Sequence, residues 1–291
     1  MSDGGRSSGL VVTGLGWGIA LGVAAGVLVL APAMRSDGEA FGQDSAASVR
    51  EMQRAESYAD DADSLLGEHS AQLVKGTCED VHVTVLRTAR VSDEDVAAVR
   101  WLLDRAGAKN SGEIALTEKF TSQDSADALS SLIANTLPAG AQLSVDQRRP
   151  GVHAGESLGA ALFADPETGE GIAAAGDRQF VLDALREGGF VDFSGDVVPA
   201  DAIVIVGGDT AKSSGDDTMP GEAGEFGQQL LGDFANALGG TSTTVLSVRD
   251  MDQWRAPELE EATFVEAVET EAGRIRTVLS VATPDEKEQE S

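Results

Sequence analysis

Three groups of residues in this 291-residue chain have types and spacings that could do chemistry. Gly155-Glu156-Ser157-Leu158-Gly159 matches the G-x-S-x-G pattern that lifts a serine nucleophile onto a sharp strand-to-helix turn, and His153 lies four residues ahead of that serine. Cys78 and His82 pair a thiol with an imidazole, the donor types that hold copper, with Cu(I) favouring sulfur and Cu(II) favouring nitrogen. Gly207, Gly208 and Asp209 follow an apolar run, "AIVIV", at the kind of strand end where open α/β sheets bind ligands.

Each group makes demands on its surroundings. A nucleophile elbow needs a buried strand running into it, whereas "DQRRPGVHA" is charged and carries Pro150. The triad order in that fold is serine, acid, histidine, and no histidine follows Ser157. The stretch Ser157–Phe163 is therefore read as a short helix whose small residues permit close packing, with the motif as its start. Hydrolysis through Ser157 is the least favoured alternative, and the chain is expected not to be an enzyme. On an extended segment Cys78 and His82 would share a face about 13 Å apart, too far to chelate one ion unless Glu79-Asp80 turns. They are read as a semi-buried cysteine and a strand histidine. His69, His153 and five methionines complete the soft and imidazole donors, with no C-x-x-C and no histidine cluster, so no metal ligands are assigned. A tight strand-to-loop turn is the reading for Gly207-Gly208.

The elements that would carry these residues alternate. "VHVTVL" (81–86) predicts a strand; a helix follows, capped by Ser92, acidic in its first turn and ended by Gly107. A second strand is expected over Gly112–Phe120, then a helix that stops before Pro138. Further helices are expected at Asp177–Glu187, Glu225–Leu238 and "GRIRTVLSVA" (273–282), with strands at Ala202–Asp209, Thr243–Asp250 and "TFVEAV" (263–268). Loops are expected at Asp165–Gly176 and Asp209–Gly224. This alternation predicts an α/β fold, a mainly parallel sheet between helical layers, over residues 77–282.

The N-terminal part is different. Gly9–Met34 is uncharged over 26 residues, more than the roughly 20 a helix needs to cross a membrane. Gly14, Gly18, Gly22 and Gly26 repeat every fourth residue, a stripe that lets a second membrane helix approach closely. Arg6 precedes the segment and the acidic bulk follows it, so residues 1–8 are placed in the cytoplasm and the remainder outside. Ala31-Pro32-Ala33 has the small residues a signal peptidase reads, but the segment's length favours a retained signal anchor; either reading implies export. Residues 35–76 are a linker and a helical stalk, Asp44–Lys75, ended by Gly76. Val49, Met52, Ala59, Leu66 and Leu73 give it a coiled-coil seam interrupted by Glu56, Asp63 and Ser70. Residues 283–291 read as a disordered acidic tail.

Charge narrows the partners. With 49 acidic against 21 basic residues the net charge is −28, which repels nucleic acid and anionic head groups. The expected partners are membrane lipid, through the one helix, and a second copy of the chain, through that helix and the stalk. One cysteine allows no disulfide within the chain.

"VTVLRTARVSDEDVAAVRWLLDRAGAKNSGEIALTEKF", "SADALSSLIANTLPAGAQLS", "HAGESLGAALF" and "ADAIVIVGGD" resemble the actinobacterial copper transport family MctB. The order of membrane helix, stalk and α/β region resembles it too, from the apolar segment to about Ala282. The resemblance implies a cell-envelope protein in copper homeostasis that limits intracellular copper, described for the family as an outer-membrane channel; copper is the metal it implies, with no ligand positions attached. The residues fit a helical anchor in the inner membrane better than a barrel, because aromatic residues make up only 4% of the chain and no segments of alternating lipid-facing residues appear. The alternative to copper transport is a non-catalytic envelope scaffold or ligand-sensing module.

Overall fold

In the computed structural model, which describes residues 44–208, 222–249 and 259–282, the alternating pattern becomes six strands and seven α-helices. They are α1 (Asp44–Leu73), β1 (His82–Thr88), α2 (Asp93–Ala106), β2 (Lys109–Leu116), α3 (Ala126–Asn135), α4 (Pro150–Leu162), α5 (Ala175–Glu187), β3 (Val191–Phe193), β4 (Ala202–Gly207), α6 (Glu222–Gly239), β5 (Thr243–Val248), β6 (Thr263–Val265) and α7 (Glu271–Ala282). The apolar segment 9–34 with its glycine stripe, the linker before residue 44 and the acidic tail lie outside the described residues. Among the described residues no helix is long and apolar enough to cross a membrane.

The strands form one sheet in the order β3-β2-β1-β4-β5-β6, parallel except for β3, which runs antiparallel to β2. Alternate side chains divide between two apolar layers, as the two-residue strand period requires. Leu86, Ile114, Leu116, Ile203, Ile205 and Leu246 face α3, α4, α5 and α6. Val83, Val85, Val204, Val206, Val245 and Val265 face α2, α7 and the segment around Val74 and Cys78. The result is the expected three-layer arrangement. All six residues of β4 are buried, which is why "AIVIVG" is continuous rather than alternating.

Local chemistry sets the boundaries. Ser92 Oγ accepts from the Glu94 amide at 3.2 Å, three acids occupy the first turn of α2, and Gly107 ends it in the left-handed region at φ 94°. β2 starts at Lys109 rather than Gly112: its polar first residues pair with β1, His82 opposite Lys109 and Val83 opposite Asn110, before the register shifts between Val83 and Thr84. The strand ends at Leu116, and Phe120 lies in the turn beyond it, its amide bonded to the Thr117 carbonyl. The loop expected up to Gly224 is shorter, because α6 begins at Glu222.

The largest correction concerns α4. It begins at Pro150, not at Ser157, so "GESLG" sits in the middle of a 13-residue helix. Proline at the first helical position lacks only an N–H that would have no helical partner there, and its fixed φ suits the helix, so the residue taken as a break is a start. Gly151, Gly155 and Gly159 line one face of α4 and lie directly on α6 and the turn after it: a Cβ at Gly155 would stand 2.6 Å from the Ala237 Cβ, and one at Gly159 2.8 Å from Thr241 Oγ1.

The chain divides into two units, Met1–Ala59 and Asp60–Ser291. Within the second, the end of α1 is fastened to the domain. Asp63 accepts from the Glu271 amide at 2.8 Å and the Ala272 amide at 3.3 Å, capping α7. Leu66 packs against the core beside α7, and Ser70 and Val74 are buried. Two of the polar residues that interrupt the stalk's seam, Asp63 and Ser70, therefore belong to a contact with the chain's own domain.

Candidate functional site

The described residues hold no assembled catalytic site around Ser157. Its side chain is fully buried within α4, and its Oγ has no hydrogen-bond partner. His153, one turn earlier, places Nε2 3.0 Å from the Ser144 carbonyl oxygen. Glu156 accepts from the Ser144 amide at 2.9 Å, so it too is used to hold the loop before α4. A serine inside a helix, out of reach of solvent and of a base, is not an elbow.

The Cys78–His82 pair is also taken apart. Cys78 is fully buried between the domain's second core layer and α7, with Sγ 3.6 Å from the Val278 carbonyl oxygen. Burial pushes its thiol above the usual range, and the Thr77 hydroxyl only partly offsets this, so the thiolate that would bind metal is disfavoured. His82 opens β1 and turns to Asp201, which stands 3.2 Å from Nδ1 and also accepts from the His82 amide at 2.7 Å. His69 is exposed on α1. The five methionines (Met1, Met34, Met52, Met219 and Met251) fall outside the side chains the structure describes. Among the described residues no group of three or more His, Cys, Asp or Glu is placed to hold a metal ion. The expected result is that a Cys78→Ala, His82→Ala double variant binds as much copper as the unaltered protein in equilibrium dialysis; a drop by one equivalent would show that the two do meet at a metal.

The sheet edge is better organised. Strands β1 and β4 are central neighbours whose connections leave in opposite directions, β1 toward β2 and β4 toward β5, which makes the gap between their carboxyl ends the switch point of the sheet. There the Gly208 amide donates to Thr88 Oγ1 at 2.9 Å, so the glycine pair forms a turn tied to β1. Asp209 lies outside the described residues. Beside this turn, on the α2 and α7 side, Asp95 is 1% exposed and holds two arginines: Arg249 Nε at 2.6 Å on one oxygen and Arg274 NH2 at 3.2 Å on the other. Arg274 also donates to the Val268 carbonyl oxygen at 3.1 Å. The network joins the start of α2, the end of β5 and the first turn of α7. Sequence alone showed Asp95 as one of three first-turn acids; its arginine partners come from 154 and 179 residues away.

A second polar region lies where helical cover stops. A groove of about 810 Å³ runs over β1, β2 and β3 beside α2, lined by Arg87, Arg100, Glu113, Glu118, Asp192 and Asp196. Its arginines are engaged, Arg87 with Asp93 and Arg100 with Glu113.

This geometry describes a scaffold with a buried ionic joint and no catalytic constellation among the described residues. The family described as "Copper transport outer membrane protein, MctB" matches residues 8–288. Among curated relatives, the chain is 31% identical over 211 residues to "Copper transporter MctB" of Mycobacterium tuberculosis (strain CDC 1551 / Oshkosh), covering 68% of this chain and 65% of that protein. It is 32% identical over 234 residues to the protein of the same name in Mycobacterium leprae (strain TN), covering 75% of this chain and 70% of that protein. The matched region thus spans about two thirds of the length of these relatives. The order of elements and a match that runs nearly from end to end agree: the chain belongs to the MctB family.

Proposed function

We propose that the chain is an envelope protein of copper transport that limits intracellular copper, anchored by the helix at residues 9–34 and assembled from more than one copy through Gly14, Gly18, Gly22 and Gly26. The observation that carries the reading is the family match over residues 8–288, together with the relatives named as copper transporters. The domain serves as an exported, non-catalytic body with its N-terminus in the cytoplasm. Copper is cargo here rather than a resident cofactor of the described domain, whose donors do not assemble.

The anchor is a helix of the inner membrane. The strands the structure describes are mainly parallel and packed between helices, an architecture in which the sheet faces are covered by protein. A lipid-facing barrel instead needs antiparallel strands with an apolar outer face. Separation of inner and outer membranes on a sucrose gradient is expected to return the protein with the inner fraction; recovery in the outer fraction would contradict the helical anchor.

A further inference from the structure

Helix α1 carries two stripes. Asp63, Leu66, Ser70 and Val74 turn into the chain's own domain. Ala55, Tyr58, Ala62, Leu65 and His69 form another, spaced alternately by three and four residues, and all five are exposed. Tyr58 is 73% and Leu65 61% exposed, the former more than any other large apolar side chain of the described residues. Every residue from 53 to 62 is exposed, so that part of the helix has nothing packed on it. An isolated helix of such length is marginal in water, and most helical stability comes from packing an apolar face.

We propose that this second stripe is the contact surface for a second copy of the same chain, the two α1 helices lying parallel and in register. The spacing gives a heptad with Ala55, Ala62 and His69 at one core position and Tyr58 and Leu65 at the other, a seam that complements itself. In parallel register the flanking Asp61 and Glu68 face Leu66 and Leu73 of the second copy, so no like charges oppose one another beside the seam. The chain upstream supplies the orientation. Gly9–Met34, with its glycine stripe, ends ten residues before α1. Read as the membrane helix of the proposed function, on which this inference rests, it fixes both copies the same way up and raises their local concentration. The seam from Val49 to Leu73 is not the one used, since Asp63, Leu66 and Ser70 are engaged with the domain.

The test uses the full chain in native membranes. Leu65→Cys and Ser64→Cys place a thiol on the seam and beside it, on side chains that are both exposed, while the natural Cys78 is buried and silent. With a short bis-maleimide, Leu65→Cys is expected to give a product of twice the chain mass about tenfold more efficiently than Ser64→Cys. His69→Ile, which places a β-branched residue at a core position, raises that yield, and Tyr58→Glu removes it. Equal yields from the two cysteines, adducts of another mass, or indifference to Tyr58→Glu would overturn the surface. The readout is independent of copper, so its failure is distinct from failure of the transport reading.

Discussion

Replacing Asp95 by alanine is expected to destabilise the protein by about 3–5 kcal/mol, the usual consequence of removing one member of a buried ion pair and leaving the other uncompensated. Asp95 is 1% exposed, and each of its oxygens takes a separate arginine. Its loss strands Arg274, whose side chain is only 16% exposed, more severely than Arg249, which is 41% exposed and can turn to solvent. Three elements depend on the joint: the start of α2, the end of β5 and the first turn of α7, whose amides Asp63 caps from the other side. Urea unfolding of the purified protein, followed by circular dichroism, should show the midpoint falling with little change in slope. Arg249→Ala should cost clearly less than Asp95→Ala. A loss below about 1 kcal/mol for Asp95→Ala would mean that the pair is a surface interaction in solution.

The second large effect belongs to the close approach of α4 and α6. In an open helix a glycine-to-alanine change stabilises by about 1 kcal/mol. At Gly155 the sign is reversed, because the new Cβ would stand 2.6 Å from both the Ala237 Cβ and the Phe234 carbonyl oxygen, and backbone cannot move aside cheaply. Gly155→Ala is expected to cost about 1–3 kcal/mol, and Gly155→Val more, as the helices are forced apart over the core that contains Leu158, Phe234 and Leu238. Gly176, in the first turn of α5, has nothing within 4 Å of its added Cβ. Gly176→Ala should therefore stabilise by up to about 1 kcal/mol, and the pair of opposite signs in one set of thermal melts checks that packing, not propensity, governs Gly155.

Much of this fold was legible where local chemistry and long-range packing agree. Ser92 and Gly107 bracket α2 as their types demand, and the unbroken apolar run of β4 announces a strand buried on both faces. The sequence reading failed where one residue type has two uses. Pro150 reads as a breaker and acts as a helix start, which moved the beginning of α4 by seven residues and made Ser157 appear terminal. Strand β3, three residues at the edge of the sheet, is too short to show a period, and its pairing with Ile114–Leu116 comes from the tertiary fold. The stalk's seam was visible, but the meaning of Asp63 and Ser70 was not, because their partners lie on α7 and in the core far along the chain. At the sites the outcome was similar: the missing triad histidine was plain in the sequence, whereas the Asp95 joint depends on arginines that only folding brings to it.

The central claim is that this chain keeps cell copper low from a membrane helix that assembles through its glycines. The direct measurement is total copper, by mass spectrometry, in copper-stressed cells lacking the gene and in the same cells carrying either the natural chain or one with Gly14, Gly18, Gly22 and Gly26 replaced by leucine. The account predicts copper above the parental level in the deletion strain, return to that level with the natural chain, and no return with the leucine variant. Equal copper in parental and deletion cells would contradict it.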